Sequence, residues 1–113
     1  MKYGFIGCGN MGGALARALS KTTKDIVLAD FSPQKAQALA DELGVKSGTN
    51  SDVASGCERI FLGVKPQVME EMLGSIKDIL KEKKPLLISM AAGLTTDKIC
   101  EMAGGDIPVI RIM

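Results

Sequence analysis

Short, uninterrupted apolar runs alternate with amphipathic segments along this chain, and that alternation constrains the fold more than any other feature. A strand that is apolar at every position buries both of its sides, as strands do in a parallel sheet covered by helices. Four runs are of this kind: Tyr3–Ile6, Ile26–Ala29, Arg59–Val64 and Leu86–Met90. Right-handed crossovers then favour an α/β, doubly wound parallel sheet of about six strands, in the order 3-2-1-4-5-6, with helices on both faces.

The remaining elements follow from helical periodicity and from residues that start or stop helices. The predicted helices are Met11–Ser20, one beginning at Pro33 after an N-cap at Ser32 and stopped by Gly44, a short turn at Asn50–Gly56, a long one opening at Pro66, and Thr95–Ala103. In the first helix the predicted apolar face is Ala14, Leu15, Ala18 and Leu19. Two shorter strands are predicted at Val45–Ser47 and Val109–Ile112.

Length and charge favour one domain, residues 1–113, and exclude some partners. Lys and Arg total 14 and Asp and Glu total 13, so the net charge is +1, and no basic run offers a surface for nucleic acid or an anionic membrane. Apolar stretches are too short to span a bilayer. Met1-Lys2-Tyr3 leads directly into the first strand, so we expect no signal peptide.

Cysteine and histidine usage narrows the chemistry further. The three cysteines, Cys8, Cys57 and Cys100, make an odd number without CxxC spacing, which argues against a disulfide framework and a zinc site. We therefore expect a reduced, cytoplasmic protein without a metal. The chain has no histidine, which removes the commonest general base, and the sequence suggests no catalytic residue.

A glycine-rich segment, Gly7-Cys8-Gly9-Asn10-Met11-Gly12, joins the first strand to the first helix. Its GxGxxG spacing is typical of dinucleotide-binding loops: Gly7 would permit the tight turn, Gly9 the approach of a pyrophosphate, and Gly12 close helix–strand packing. Asp30 ends the second strand, 18 residues beyond Gly12, close to the separation expected for a ribose-binding acid. These features favour a Rossmann-like nucleotide site over a glycine turn that merely connects a strand to a helix. Cys8 is interpreted as a small packed residue.

The residues after the second strand leave the choice between NAD and NADP open. Asp30 would accept hydrogen bonds from a free 2′-hydroxyl and repel a 2′-phosphate. Ser32 begins a helix whose amides could hold an anion, and Lys35 lies in the first turn of that helix. Lys35 could equally point into solvent without any role.

Small residues also follow the fourth and fifth strands. Gly63-Val64-Lys65-Pro66 and Ala91-Ala92-Gly93 would allow a ribose and nicotinamide to approach the carboxyl edge of the sheet, where such folds bind ligands. Lys65 could reach a phosphate or ribose, or it could be a solvated residue before the proline that starts a helix.

Taken together, these motifs resemble the N-terminal domain of the pyrroline-5-carboxylate reductase family, and the resemblance covers all 113 residues. The segments that carry it are Gly4–Gly12, Val64–Gln67, Ile88–Gly93 and Arg111–Met113. The family reduces the C=N bond of Δ1-pyrroline-5-carboxylate with NAD(P)H and makes L-proline. The resemblance implies NADPH as cofactor, because family members often carry Arg just after the second strand, where it can meet a 2′-phosphate. Phe31 stands at about that place here, so a strict preference for NADPH is not expected and NADH stays possible.

The resemblance also implies roles for individual residues. The pyrophosphate would be cradled by Ile6, Gly7, Cys8, Gly9, Asn10 and Met11. The adenosine end would contact Ser32 and Asn50. The nicotinamide side would be lined by Gly63, Val64, Lys65, Pro66, Ala91, Ala92 and Gly93. A second, C-terminal helical domain, absent from this sequence, would bind the imine and form homo-oligomers. The alternatives are a coenzyme F420-dependent NADP reductase, which shares the glycine loop, and a stand-alone nucleotide-binding module without catalysis.

Overall fold

The computed structural model describes residues 2–112. Met1, on which the prediction of no signal peptide partly rests, and Met113, the last residue of the fourth motif, lie outside the described residues. One parallel sheet forms the centre of the molecule, in the order β3-β2-β1-β4-β5-β6. Its strands are β1 (Tyr3–Ile6), β2 (Ile26–Ala29), β3 (Lys46–Ser47), β4 (Arg59–Leu62), β5 (Leu86–Ser89) and β6 (Val109–Arg111). The predicted strand order and the parallel pairing are confirmed.

Five helices cover the sheet and divide the core in two. They are α1 (Asn10–Leu19), α2 (Pro33–Leu43), α3 (Asn50–Gly56), α4 (Pro66–Lys83) and α5 (Thr96–Met102). On one face α1 and α2 pack over Phe5, Ile26 and Leu28. On the other, α3, α4 and α5 pack over Ile60 and Leu87. The predicted doubly wound architecture is therefore confirmed, and no helix among residues 2–112 is long and apolar enough to cross a membrane.

Proline and glycine mark the helix ends, as the sequence predicts. Pro33 and Pro66 occupy first-turn positions in α2 and α4, where the missing N–H costs nothing and the fixed φ suits the helix. Gly44 ends α2 in the left-handed conformation, with φ of 71°, and its N–H donates to the Ala40 carbonyl.

Several strands are shorter than predicted at their carboxyl ends. β4 stops at Leu62, β5 at Ser89 and β6 at Arg111, so Gly63 and Val64 lie in a loop. The Gly63 N–H still donates to the Ile6 carbonyl at 2.8 Å. Beyond that point β1 has ended and the chain turns away at Gly7.

The predicted apolar face of α1 is wrong in part. Ala14 and Ala18 are exposed, and the residues buried against the sheet are Gly12, Gly13 and Ala16. Small residues occupy this face because the helix lies very close to the turn that precedes it. Apolarity alone did not distinguish an alanine packed in the core from an alanine on the surface.

Candidate functional site

The loops that follow β1 and β4 meet at the carboxyl edge of the sheet. A side-chain carbon placed on Gly7 would lie 2.6 Å from the Gly63 carbonyl carbon, and one on Gly63 would lie 3.0 Å from the methyl group of Met90. These contacts leave no room for side chains and bring the loop after β5 against the other two. The three loops therefore form the switch point at which doubly wound sheets bind ligands.

Packing within the chain explains two glycines of the loop at residues 7–12, here called the glycine loop. Gly7 has φ of 102°, a conformation that strongly favours glycine. A side-chain carbon on Gly12 would collide with the Gly7 carbonyl oxygen. The predicted roles of these two residues in the tight turn and in helix–strand packing are confirmed.

Gly9 differs, because nothing in the protein requires glycine there. Its φ is −75°, which any residue adopts, and a side-chain carbon at this position would meet no protein atom within 4 Å. Gly9 is the N-cap of α1 and has no side chain to cap the helix. The first amides of a helix have no intrahelical partners, so an open, positively polarised surface lies above Gly9. This cradle fits a pyrophosphate.

Asp30 links the glycine loop to the turn after β2. One carboxylate oxygen accepts a hydrogen bond from the Cys8 N–H at 2.7 Å, and the other accepts from the Ser32 N–H at 3.0 Å. The sequence pattern identified Asp30 as a candidate ribose-binding acid, but it did not predict these two backbone partners.

Cys8 is 6% exposed, and its thiol lies 3.5 Å from the Ala29 carbonyl oxygen, to which it donates. Burial raises the pKa of this thiol to about 11, and the nearby Asp30 carboxylate adds to the increase. The thiol is therefore protonated at neutral pH and is a poor nucleophile. The interpretation of Cys8 as a packed residue agrees with this environment.

A groove of about 240 Å³ opens beside the glycine loop on the α3–α4 side of the sheet. Three residues predicted for the site, Ile6, Asn50 and Val64, line it. Five residues that sequence reasoning did not place in the site complete the lining: Phe31, Val68, Glu71, Met72 and Ser75.

Two sequence signals could have identified the groove residues that were not predicted. Val68, Met72 and Ser75 recur at helical spacing in the first turns of α4, on a stripe beside its buried face. Phe31 directly follows β2 and is fully exposed, which is unusual for a large apolar side chain. In the sequence, Phe31 stands out only because the resembled family often has arginine at that place.

Several backbone amides at the turn after β2, where the sequence suggested free amides, have partners within the chain. Ser32 is the N-cap of α2, but its side chain makes no capping hydrogen bond and lies 3.4 Å from the Gln34 side-chain oxygen. The Lys35 and Ala36 N–H groups donate to the Ser32 carbonyl, and Pro33 has no N–H.

Lys35 is exposed and lines a separate depression with Cys8 and Arg17, on the α1 side of α2. There Arg17 forms an ion pair with Glu42 at 3.0 Å. The Arg17 hydrogen bond and positive charge lower the pKa of the Glu42 carboxyl group. Lys35 is therefore near the glycine loop but does not line the groove that contains Asn50.

The residues predicted to line the nicotinamide side are mostly open to solvent. Lys65, Pro66, Ala92 and Gly93 are exposed, whereas Ala91 is buried and its N–H donates to the Ser89 hydroxyl at 3.1 Å. Gly93 has φ of 85°, and a side-chain carbon there would meet nothing within 4 Å. Within residues 2–112, no three His, Cys, Asp or Glu side chains come together as a metal site.

Comparison with known proteins agrees with this geometry. Residues 2–93 match the protein-family model described as NADP oxidoreductase, coenzyme F420-dependent. A pyrroline-5-carboxylate reductase from Escherichia coli (strain K12) is 38% identical over 117 aligned positions, which include 99% of this chain and 43% of that enzyme. The chain thus spans less than half the length of this curated relative.

Two solved structures share the fold over nearly the whole chain. A pyrroline-5-carboxylate reductase from Coxiella burnetii superposes with a TM-score of 0.89 at 30% identity, over 97% of this chain and 42% of that protein. A pyrroline carboxylate reductase from Plasmodium falciparum, solved with NADP bound, superposes with a TM-score of 0.80 at 28% identity, over 98% of this chain and 41% of that protein.

Proposed function

From the premise that this chain belongs to the NADP oxidoreductase, coenzyme F420-dependent, family, we propose that it is the NAD(P)H-binding domain of a pyrroline-5-carboxylate reductase. The observation that carries the proposal is the open space above Gly9, at the N-terminus of α1. Packing explains Gly7 and Gly12, whereas no protein atom contacts the space above Gly9, which leaves that space open for a ligand to approach the backbone closely. The relatives named pyrroline-5-carboxylate reductase support the choice of reaction.

The residues present would hold the cofactor in three parts. The pyrophosphate would lie over Gly9 and the first amides of α1, where the helix dipole favours negative charge. The adenosine end would occupy the groove beside Phe31, whose exposed ring offers a stacking face. Lys65 and the Ala92-Gly93 backbone would lie on the nicotinamide side.

NADPH, when bound, supplies a hydride to the carbon of the substrate C=N bond. The chain's own residues bind and orient the cofactor, and none is assigned as an acid or base. The imine would be held by a C-terminal helical domain, proposed from the family resemblance, which would also form the homo-oligomer. The product would be L-proline, which places the enzyme in amino-acid biosynthesis.

NADPH is the proposed cofactor, with NADH as a second possibility. A relative solved with NADP bound supports NADPH, and Lys35 beside the turn after β2 supplies a positive charge. Cys8, Cys57 and Cys100 are all free thiols, and this agrees with the proposed cytoplasmic location.

A second candidate is the reduction of NADP by reduced coenzyme F420, favoured by the description of the matching family. The relatives named pyrroline-5-carboxylate reductase argue for the imine substrate. Oxidation of NADPH by oxidised F420, but not by the imine, in the whole enzyme would select this second candidate.

Calorimetric titration of NADPH and NADH into two matched valine variants tests the cofactor site. Gly9→Val places a branched side chain in the cradle. Gly56→Val places the same side chain in equally open space at the end of α3, at the opposite edge of the sheet. We expect Gly9→Val to lose binding and Gly56→Val to keep it, with native circular dichroism in both. Equal binding by wild type and Gly9→Val would refute the assignment.

A further inference from the structure

Asp30 contacts two backbone segments that together shape the site. Its carboxylate accepts from the Cys8 N–H at 2.7 Å and from the Ser32 N–H at 3.0 Å. Cys8 belongs to the glycine loop after β1, and Ser32 begins α2 after the neighbouring strand β2. One side chain therefore spans the two loops, and each of its oxygen atoms has its own donor.

Besides the close packing of Gly7 and Gly12, two other contacts hold the start of the glycine loop. The Gly7 N–H donates to the Ala29 carbonyl at 2.8 Å, and the Cys8 thiol lies on the same carbonyl. Gly9 has no side chain, so the loop cannot make the capping hydrogen bond that commonly holds the start of a helix. Among these contacts, the Asp30 carboxylate is the one charged group, and hydrogen bonds to charged groups are stronger than neutral ones.

We propose that Asp30 is a positioning residue that braces the glycine loop open for the pyrophosphate, and that it does not act by reading the 2′ position of the adenosine ribose. This inference rests on the proposed cofactor site. Both carboxylate oxygens are already engaged by backbone amides, which fixes the orientation of the carboxylate and satisfies part of its charge.

The two roles predict different cofactor preferences. A residue that reads the 2′-hydroxyl contributes to NADH binding alone and repels NADPH. A residue that shapes the cradle contributes equally to every ligand that places a pyrophosphate over Gly9. The Cys8 N–H is also committed to Asp30, so the phosphate would be bound by the amides that follow it, at the start of α1.

A cycle that combines protein variants with a ligand variant distinguishes these roles. The Kd values of NADH, NADPH and the 2′-deoxyadenosine analogue of NADH are measured by calorimetry for wild type, Asp30→Asn and Asp30→Ala. Asp30→Ala removes both bonds, whereas Asp30→Asn removes the charge but keeps one acceptor. The difference between the two variants therefore reports the one hydrogen bond that Asn retains, and the difference between wild type and Asp30→Asn reports the charge together with the other bond.

We expect Asp30→Ala to weaken all three ligands by roughly tenfold, the effect of a lost charge-assisted hydrogen bond. The three losses should agree within about twofold, the usual scatter of independent effects. Asp30→Asn should lose less for each ligand. A loss confined to NADH, with the 2′-deoxy analogue unaffected by either variant, would overturn the proposal and make Asp30 a reader of the ribose.

Nuclear magnetic resonance of the ligand-free protein gives a readout that needs neither cofactor nor activity. In wild type we expect a coupling across the hydrogen bond between the Cys8 amide nitrogen and the Asp30 carboxyl carbon, and slow exchange of the Cys8 amide proton. Asp30→Ala should accelerate that exchange while amides in β4 and β5 stay protected. A rapidly exchanging Cys8 amide in wild type would overturn the brace, even if Asp30→Ala failed to fold. If wild type shows the hydrogen bond between Cys8 and Asp30 but binds no dinucleotide, the proposed function is refuted, whereas the structural role of Asp30 in holding the glycine loop is supported.

Discussion

The glycine loop after β1 and the loop after β5, residues 90–95, lie at the same edge of the sheet but are built in opposite ways. Contacts within the chain fix the glycine loop: Gly7 abuts Gly63, Gly12 abuts Gly7, and Asp30 holds the Cys8 amide. In the loop after β5, Ala92 and Gly93 are exposed, and a side chain on Gly93 would meet nothing.

We infer from this difference that the proposed cofactor site is built unevenly. The proposed pyrophosphate side is preorganised, because contacts within the chain hold its backbone. On the proposed nicotinamide side, Lys65, Ala92 and Gly93 are exposed to water. We therefore expect substitutions in the glycine loop to affect folding and cofactor binding, and the open loop to limit catalysis.

The largest expected effect concerns catalysis on the open side. The 113-residue chain saturated with NADPH should not reduce pyrroline-5-carboxylate above the rate without protein. Fixing the positions of the reacting carbon atoms can contribute about 7–11 kcal/mol to catalysis. Lys65, Ala92 and Gly93, which flank the proposed nicotinamide side, are exposed. A spectrophotometric assay of NADPH oxidation provides the measurement. Turnover comparable to that of two-domain reductases would show that the open loop is already a complete substrate site.

The second prediction compares two alanine variants in the closed loop. Gly12→Ala should lower the free energy of unfolding by about 1–3 kcal/mol, because the new methyl group collides with backbone that cannot move freely. Gly9→Ala should cost less than about 1 kcal/mol, the preference of an N-cap for glycine over alanine. Thermal unfolding followed by circular dichroism measures both. Equal destabilisation would mean that packing, and not ligand approach, accounts for Gly9.

A smaller effect is expected at Lys35, at the margin of the closed loop. If Ser32 and Lys35 bind the 2′-phosphate, Lys35→Ala should weaken NADPH by up to about tenfold, the value of a charge-assisted contact, and leave NADH unchanged. Lys98→Ala, an exposed lysine on α5, is the matched control. Titration calorimetry with both cofactors makes the comparison. Identical losses for NADPH and NADH would show that Lys35 does not read the 2′ position.

The last prediction is an alkaline loss of stability. Burial raises the pKa of the Cys8 and Cys57 thiols from 9.0 to about 11 in the folded protein. The folded state therefore keeps protons that the unfolded state releases, so stability is complete below pH 9 and decreases as the pH rises to about 11. The Tm should fall less steeply across this range in a Cys8→Ala/Cys57→Ala double variant than in wild type. The same slope in both proteins would contradict the buried-thiol assignment.

Much of the fold could be predicted from the sequence, because the relevant signals are local. Continuous apolar runs identified the buried strands, and Pro33, Gly44 and Pro66 marked helix ends correctly. The α1 face was partly wrong because the helix–strand distance depends on Gly12 meeting Gly7, a contact between residues whose packing no periodicity encodes.

The site was less predictable than the fold. The spacing of the glycine loop and Asp30 identified the region, but the hydrogen bond from Cys8 to Asp30 depends on how two adjacent strands end. The groove residues on α4, among them Glu71 and Met72, were missed because the sequence indicated only a long helix that opens at Pro66. Both lie where a helix face meets the edge of the sheet, and only the three-dimensional arrangement shows that position.

The central claim is that the surface above Gly9 binds the pyrophosphate of a dinucleotide. The most direct measurement is a titration of the ¹⁵N-labelled chain with NADPH, followed by amide chemical shifts. The account predicts the largest changes at residues 9–12 and around Phe31 and Val64, with no change at the opposite edge, around Gly56 and Lys84. Absence of changes at residues 9–12, or equal changes at both edges, would contradict it.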